Sequence, residues 1–244
     1  MKRAVVIGAT SGIGKEVARL LWEKGWTVGI AGRRQSLLEQ FAKDCGERIF
    51  TQVLDVTDEN AGKLMLELLV RMGGADLIFL SSGIGSQNPN LDPETELRTV
   101  QTNSVGFVRM ITAAFNYFKA NGGGHIAAIS SIAGTKGLGI APAYSATKRM
   151  QNTYIQCLAQ LSAMEKANIR FTDIRPGFVD TDLLKSGKFP LLMKPDYVAR
   201  RIVKAVERKR RVAVIDRKYS IVVALWRMIP RCIWERMNVK NKSK

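Results

Sequence analysis

From residue 4 to residue 215 the chain alternates short apolar, β-branched runs with amphipathic stretches, and this alternation limits the fold more than any other feature. Residues 4–7, 26–31, 49–54, 76–80, 126–129, 169–174 and 212–215 read as strands. Between them, residues 15–24, 36–43, 59–72, 94–120, 143–166 and 196–208 read as helices; in the first, Val17, Ala18, Leu20 and Leu21 share one face. Apolar strands interleaved with helices require βαβ units, hence a parallel sheet covered on both faces. The expected fold is α/β, a Rossmann-type doubly wound sheet of seven parallel strands. No Pro/Gly/Ser-rich linker divides it. One domain, 1–218, is expected, with a basic amphipathic C-terminal extension, 219–244, packed on it.

Composition removes several other classes. With 46% apolar residues, the 244-residue chain is too rich in aliphatics for intrinsic disorder. No run approaches the ~18 consecutive apolar residues of a membrane span. The opening Met1-Lys2-Arg3 passes too quickly through residues 4–7 into Gly8 to read as a signal peptide. Cys45, Cys157 and Cys232 are scattered, as expected for reduced cysteines in a cytoplasmic protein without a disulfide frame or zinc site. His125 is the only histidine, so a metal centre or a Ser-His-Asp triad has no material. Opening the fifth strand after three glycines, it is expected to be structural.

The charge is uneven. Of a net +17, residues 208–244 hold 12 Lys/Arg against Asp216 and Glu235, a net of +10. Such a tail suits nucleic acid, an anionic membrane surface or plain water. No helix-turn-helix or RNA-binding motif is present, so nucleic acid is not an expected partner. Residues 219–237 mix apolar clusters and two Trp with arginines. They read either as a stripe packed over the substrate cleft or another subunit, or as a peripheral membrane contact.

Gly8-Ala9-Thr10-Ser11-Gly12-Ile13-Gly14 stands between the first strand and the first helix. It is a tight structural turn or a dinucleotide-binding one, in which the backbone approaches a pyrophosphate and the helix N-terminus offers free N–H groups. About 20 residues on, where NAD-binding chains place an acid for the ribose 2′-hydroxyl, the second strand ends in Gly32-Arg33-Arg34. Two guanidiniums attract the 2′-phosphate of NADP(H), so NADP(H) is expected ahead of NAD(H). A solvated basic turn is the simpler alternative. Asp55, before Val56, either bonds the adenine amino group or caps the helix starting near Asp58; both residues are counted as cofactor-binding.

In Tyr144-Ser145-Ala146-Thr147-Lys148 the phenol and the ammonium fall on one helical face. A free Tyr, with a pKa near 10, is a poor acid–base catalyst at neutral pH, and a neighbouring cation joined by an oxidised nicotinamide lowers it. Thirteen residues earlier, Ser131 lies in Ile129-Ser130-Ser131-Ile132-Ala133-Gly134 at a strand's carboxyl end, where open α/β sheets bind ligands.

On these motifs the chain, over residues 3–216, resembles the compact, single-domain branch of the short-chain dehydrogenase/reductase family. The resemblance implies that Tyr144 donates or accepts the proton, Ser131 hydrogen-bonds the substrate carbonyl, and Lys148 binds the nicotinamide ribose and lowers the Tyr144 pKa. Asn103, in Thr102-Asn103-Ser104-Val105-Gly106, matches the asparagine that holds a relay water. Pro176-Gly177-Phe178-Val179-Asp180-Thr181 matches the segment presented to the carboxamide, so Pro176, Gly177, Val179 and Thr181 join Tyr144 and Lys148 as cofactor-binding. The family's usual Asn-Asn-Ala-Gly is here Leu80-Ser81-Ser82-Gly83; only Gly83 is kept. The implied activity is hydride transfer from NADPH to a ketone or aldehyde by a homodimer or homotetramer. The mostly apolar segment 182–194, resembling the family's substrate loop, tilts the substrate toward a hydrophobic carbonyl. A non-catalytic NADP(H)-binding regulatory protein on the same fold is the alternative.

Overall fold

Every side chain of the first strand after its opening Arg3 is apolar, and all are buried. In β1 (Arg3–Ile7), Ala4 and Val6 enter one core while Val5 and Ile7 enter another, because successive strand residues point to opposite faces. Both faces therefore need a cover. A computed structural model describes residues 1–184 and 189–239 and supplies it. Residues 185–188 of the expected substrate loop, and Lys240, Lys242 and Lys244 of the tail, lie outside the described residues.

The chain continues through α1 (Gly12–Glu23), β2 (Thr27–Gly32), α2 (Gln35–Cys45), β3 (Ile49–Val53), α3 (Ala61–Arg71), β4 (Leu77–Leu80), α4 (Pro93–Val100), α5 (Phe107–Ala120), β5 (Gly124–Ile129), α6 (Pro142–Met164), β6 (Ile169–Arg175), α7 (Pro195–Glu207), β7 (Val212–Val214), α8 (Arg217–Met228) and α9 (Arg231–Trp234). All seven strands run parallel in the order β3-β2-β1-β4-β5-β6-β7. This is the doubly wound sheet expected from the alternation. Val6 sits between Ile30 of β2 and Phe79 of β4. The strand order reverses between β1 and β4, opening a crevice at the carboxyl ends of those strands.

The two cores follow the alternation. One side of the sheet takes Val17 and Leu21 of α1, Leu38 of α2, Val198 and Ile202 of α7, and Tyr219 and Val223 of α8. The other takes Met65 and Leu68 of α3, Met110 and Phe118 of α5, and Ile155 of α6. Among the described residues no helix is long and apolar enough to cross a membrane.

Three local differences from the sequence reading matter. The expected helix 94–120 is not uniform: Gln101–Gly106 is wound as a π-helix between α4 and α5. There the helix passes close to the chain after β3, where a Cβ on Gly106 would stand 2.8 Å from Val56 Cγ2 and 2.9 Å from its carbonyl oxygen. The C-terminal extension, expected from residue 219, starts inside α8, which begins at Arg217 and is capped by Asp216, whose side chain accepts from the Lys218 amide at 2.9 Å. The last strand stops at Val214, one residue short of the expected end.

Candidate active site

The glycine turn joins β1 to α1 at the switch point. Gly8 has φ +88°, and a Cβ there would lie 2.6 Å from the Ser82 amide nitrogen, so the backbone after β4 passes against it. A Cβ on Gly14 would run into the Gly8 carbonyl oxygen. Ser11 occupies the N-cap of α1, but its side chain caps none of the helix amides. Its hydroxyl accepts from Arg34 Nη2 at 2.7 Å instead. Among the described residues, the first amides of α1, at Gly12, Ile13 and Gly14, are thus left without a side-chain acceptor beside a close-packed glycine cradle. That arrangement fits an anionic pyrophosphate.

Beyond β2, Arg34 also holds Thr10 Oγ1, at 2.8 Å from Nη2. Gly32 has no room for a larger side chain, since a Cβ there would meet the Thr10 methyl at 2.7 Å. Arg33 is exposed and stands 3.7 Å from Asp55. Asp55 Oδ1 accepts from the Thr57 amide at 2.9 Å and the Thr57 hydroxyl at 2.8 Å. Burial pushes this carboxyl up, but the Thr57 bonds and Arg33 outweigh it and hold it below its ordinary value. Of the two roles open to Asp55, the cap is not the expected one, since α3 starts only at Ala61; Asp55 closes a local turn. Val56 is buried, its carbonyl taken by Arg109 at 2.8 Å.

α6 brings Tyr144 and Lys148 together one turn apart, with Lys148 Nζ 5.7 Å from the phenol ring centroid. Lys148 is buried and donates to the Ile129 carbonyl and to Gln151 Oε1, both at 3.1 Å. Burial pulls its pKa down to about 8, against the opposing influence of Asp173. The phenol of half-buried Tyr144 is raised by burial, while the Ser131 hydroxyl pulls the other way. The Lys148 ammonium points toward the end of β5, one side of it facing the Tyr144 ring. Ser131 follows β5, accepts from the Ala133 amide at 3.1 Å and lies 3.4 Å from the Pro176 carbonyl.

Asn103, on the π-helical stretch, is fully buried. It exchanges hydrogen bonds with Ile84, accepting from its amide at 2.9 Å and donating to its carbonyl at 2.7 Å. Its own carbonyl accepts from Gln151 at 2.8 Å, so Gln151 links Asn103 to Lys148. Gly83 lies against both, a Cβ there standing 3.3 Å from Asn103 Oδ1 and 3.5 Å from Lys148 Nζ. After β4, backbone ties this segment to β1, with Ser81 N–H donating to the Ile7 carbonyl at 2.8 Å.

Several neighbours escaped the sequence reading. Gln151 had a signal, lying three residues after Lys148 on one helix face. Gly85 lies against the Tyr144 ring, where a Cβ would come within 2.7 Å of it. Behind Lys148, buried Asp173 accepts from Ser130, from Asn152 at 3.2 Å and from Arg175, whose Nε lies at 2.8 Å. Nothing local marks that cluster, which gathers β6, α6 and the end of β5.

After β6, Val179 forms an isolated bridge with Met193, and Thr181 sets its methyl 3.2 Å from where a Gly12 Cβ would be. Pro176 accepts from the Ile132 amide at 3.1 Å. Gly177 is covered by the Tyr219 ring, which any Cβ there would strike. The Tyr219 hydroxyl donates to the Pro190 and Leu191 carbonyls, at 2.9 and 3.1 Å, and accepts from the Phe178 amide at 3.1 Å. His125 is buried, its Nε2 2.8 Å from Thr172 Oγ1 and well away from these groups along β5.

The comparisons with known proteins agree with the fold and name the family. Residues 2–188 match the family model for short chain dehydrogenases. An uncharacterized oxidoreductase of Listeria monocytogenes is 36% identical over 192 residues, 76% of this chain and 77% of its own. Dehydrogenase/reductase SDR family member 7B of Bos taurus is 27% identical, over 98% of this chain and 82% of its own. Among solved structures, 3-ketoacyl-(acyl-carrier-protein) reductase of Brucella melitensis, complexed with NADH, aligns with a TM-score of 0.78 at 27% identity, covering 87% of this chain and 95% of that one. Alcohol dehydrogenase of Thermococcus sibiricus, complexed with 5-hydroxy-NADP, aligns at 0.74 and 26%, covering 88% and 95%. The chain belongs to the short-chain dehydrogenase/reductase family of oxidoreductases.

Proposed function

We propose that this protein is an NADP(H)-dependent reductase of ketones or aldehydes, hydrophobic ones above all, with Tyr144 as the proton donor. The observation that carries the reading is the meeting of Tyr144, Lys148 and Ser131 at the carboxyl edge of the sheet, beside the uncapped start of α1. Gly8, Gly12 and Gly14 with the α1 amides would hold the pyrophosphate, and Arg33 and Arg34 the 2′-phosphate. When bound, the dinucleotide supplies the hydride.

The remaining steps belong to the chain. Ser131 orients the carbonyl oxygen and Tyr144 gives it a proton. A phenol raised by burial keeps its proton at neutral pH, which suits donation better than abstraction. Lys148, with its pKa near 8, exchanges a proton close to neutrality and is held in line by Gln151 and Ile129. Asn103 fixes the loop at Ile84 and anchors the relay water. A homo-oligomer built through the long helices belongs to the same proposal; exposed Leu97 on α4 and exposed Leu161 and Met164 on α6 support it.

Initial rates with NADPH and NADH over a panel of apolar ketones and aldehydes test this reading. NADPH is expected to lead, and Arg33→Ala with Arg34→Ala to shrink that lead at least about tenfold, since each charge-assisted bond contributes roughly 1.5–3 kcal/mol. Equal use of both cofactors by the unaltered protein would overturn the cofactor assignment. No turnover with any carbonyl would favour a non-catalytic binding protein.

A further inference from the structure

α8 and α9 carry a face that the fold leaves bare. Buried Tyr219 and Val223, with the Trp226 ring tilted at 60° to that of Trp234 and its centroid 5.3 Å away, fix the inward side of α8. The tail is pinned further by Lys136, which donates to the Ile229 carbonyl at 2.7 Å, and by Trp234, which donates to the Gly137 carbonyl at 2.6 Å. On the outward side, Ile221 is 61% exposed, Leu225 56% and Met228 77%. Ile233 and Met237 continue the exposed apolar surface beyond the helix. A surface helix of a globular protein ordinarily sets polar residues on that side. Here the polar residues form a rim instead: Arg217, Lys218, Arg227, Arg231 and Arg236 are all exposed. Glu235, paired with Arg231 at 2.6 Å, is the only acid after Asp216.

We propose that this face docks on an anionic lipid surface. The apolar side chains enter the headgroup boundary and the cations meet the charged headgroups, the division of labour of an interfacial amphipathic helix. Charge selects the occupant. A second copy of the chain would bring two strongly cationic patches together across a symmetric contact, whereas an anionic membrane offers both the apolar depth and the complementary sign. At the start of α8, exposed Leu191 and Leu192 of the loop after β6 share a groove with Lys218 and Tyr219, and the Tyr219 hydroxyl ties the two segments together.

Flotation of the full chain with phosphatidylcholine vesicles, with and without phosphatidylserine, tests the proposal and needs no turnover, so it fails or succeeds independently of the reductase reading. The chain is expected to float with the anionic vesicles and to be released by high salt. The triple change Ile221→Asp, Leu225→Asp, Met228→Asp touches only exposed positions and is expected to cut that binding roughly tenfold or more while leaving the melting temperature in place. Arg227→Gln, Arg231→Gln and Arg236→Gln together, which keep the apolar stripe, are expected to cut it by a similar factor. The proposal is overturned if the unaltered chain ignores anionic vesicles, if the triple aspartate variant floats as well as the unaltered chain, or if the stripe proves to hold a dimer that the aspartates dissociate.

Discussion

Burying a charge needs partners, and two side chains here show the consequences. Asp173 lies in β6 with almost no exposed surface, bonded to Ser130, Asn152 and Arg175. Removing the guanidinium leaves that carboxylate uncompensated, so Arg175→Met is expected to lower the free energy of unfolding by about 3 kcal/mol in urea titrations. A change below a few tenths would mean that the pair contributes nothing. His125 is the neutral counterpart: burial first, then Lys209 and Arg170, take its pKa down from 6.5 to about 4. The unfolded chain then binds a proton that the folded one refuses. Stability is full above about pH 6.5 and declines as pH falls toward 4, by about 3 kcal/mol at most for this group. Unfolding free energies of His125→Gln are expected to lack that component of the decline, and an unchanged pH slope would refute it.

At the level of elements, the site depends on chain segments pressed against glycines. Gly177 allows the Tyr219 ring to lie on the segment after β6, so Gly177→Ala forces that ring away and breaks its three hydrogen bonds. A loss of roughly 2 kcal/mol is expected, with earlier proteolysis within 217–239 than in the unaltered chain. Equal melting and equal proteolysis would contradict the contact. The same example shows what a sequence reveals. Strands buried on both faces leave unbroken apolar runs, and the Tyr144–Lys148 spacing is local, so the sheet and the centre of the site were readable. The π-helical turn was not, because it depends on Val56 passing Gly106 from another part of the chain. Nor was the Asp173 cluster, whose members make sense only once β5, β6 and α6 stand together. Nor was the close approach of Gly32 to the Thr10 methyl, which joins the end of β2 to the glycine turn.

For the whole molecule, the crevice at the strand-order reversal is where a ligand couples to stability. Anything bound only by the folded chain stabilises it, by about 2.7 kcal/mol at a hundred times its Kd, which for a chain of this size raises Tm by roughly 5–10 °C. NADPH is expected to give such a shift, and NADH a smaller one at equal concentration; no shift from either would mean that the cradle at α1 is not a dinucleotide site. On the proposed mechanism Tyr144 separates this binding from the chemistry, its ring lying against Gly85 and its hydroxyl beside Ser131. The most direct measurement is therefore NADPH-dependent carbonyl reduction by Tyr144→Phe, made alongside its NADPH-induced Tm shift. The account predicts an unchanged shift with turnover lower by about a hundredfold or more. Turnover equal to that of the unaltered protein would contradict it.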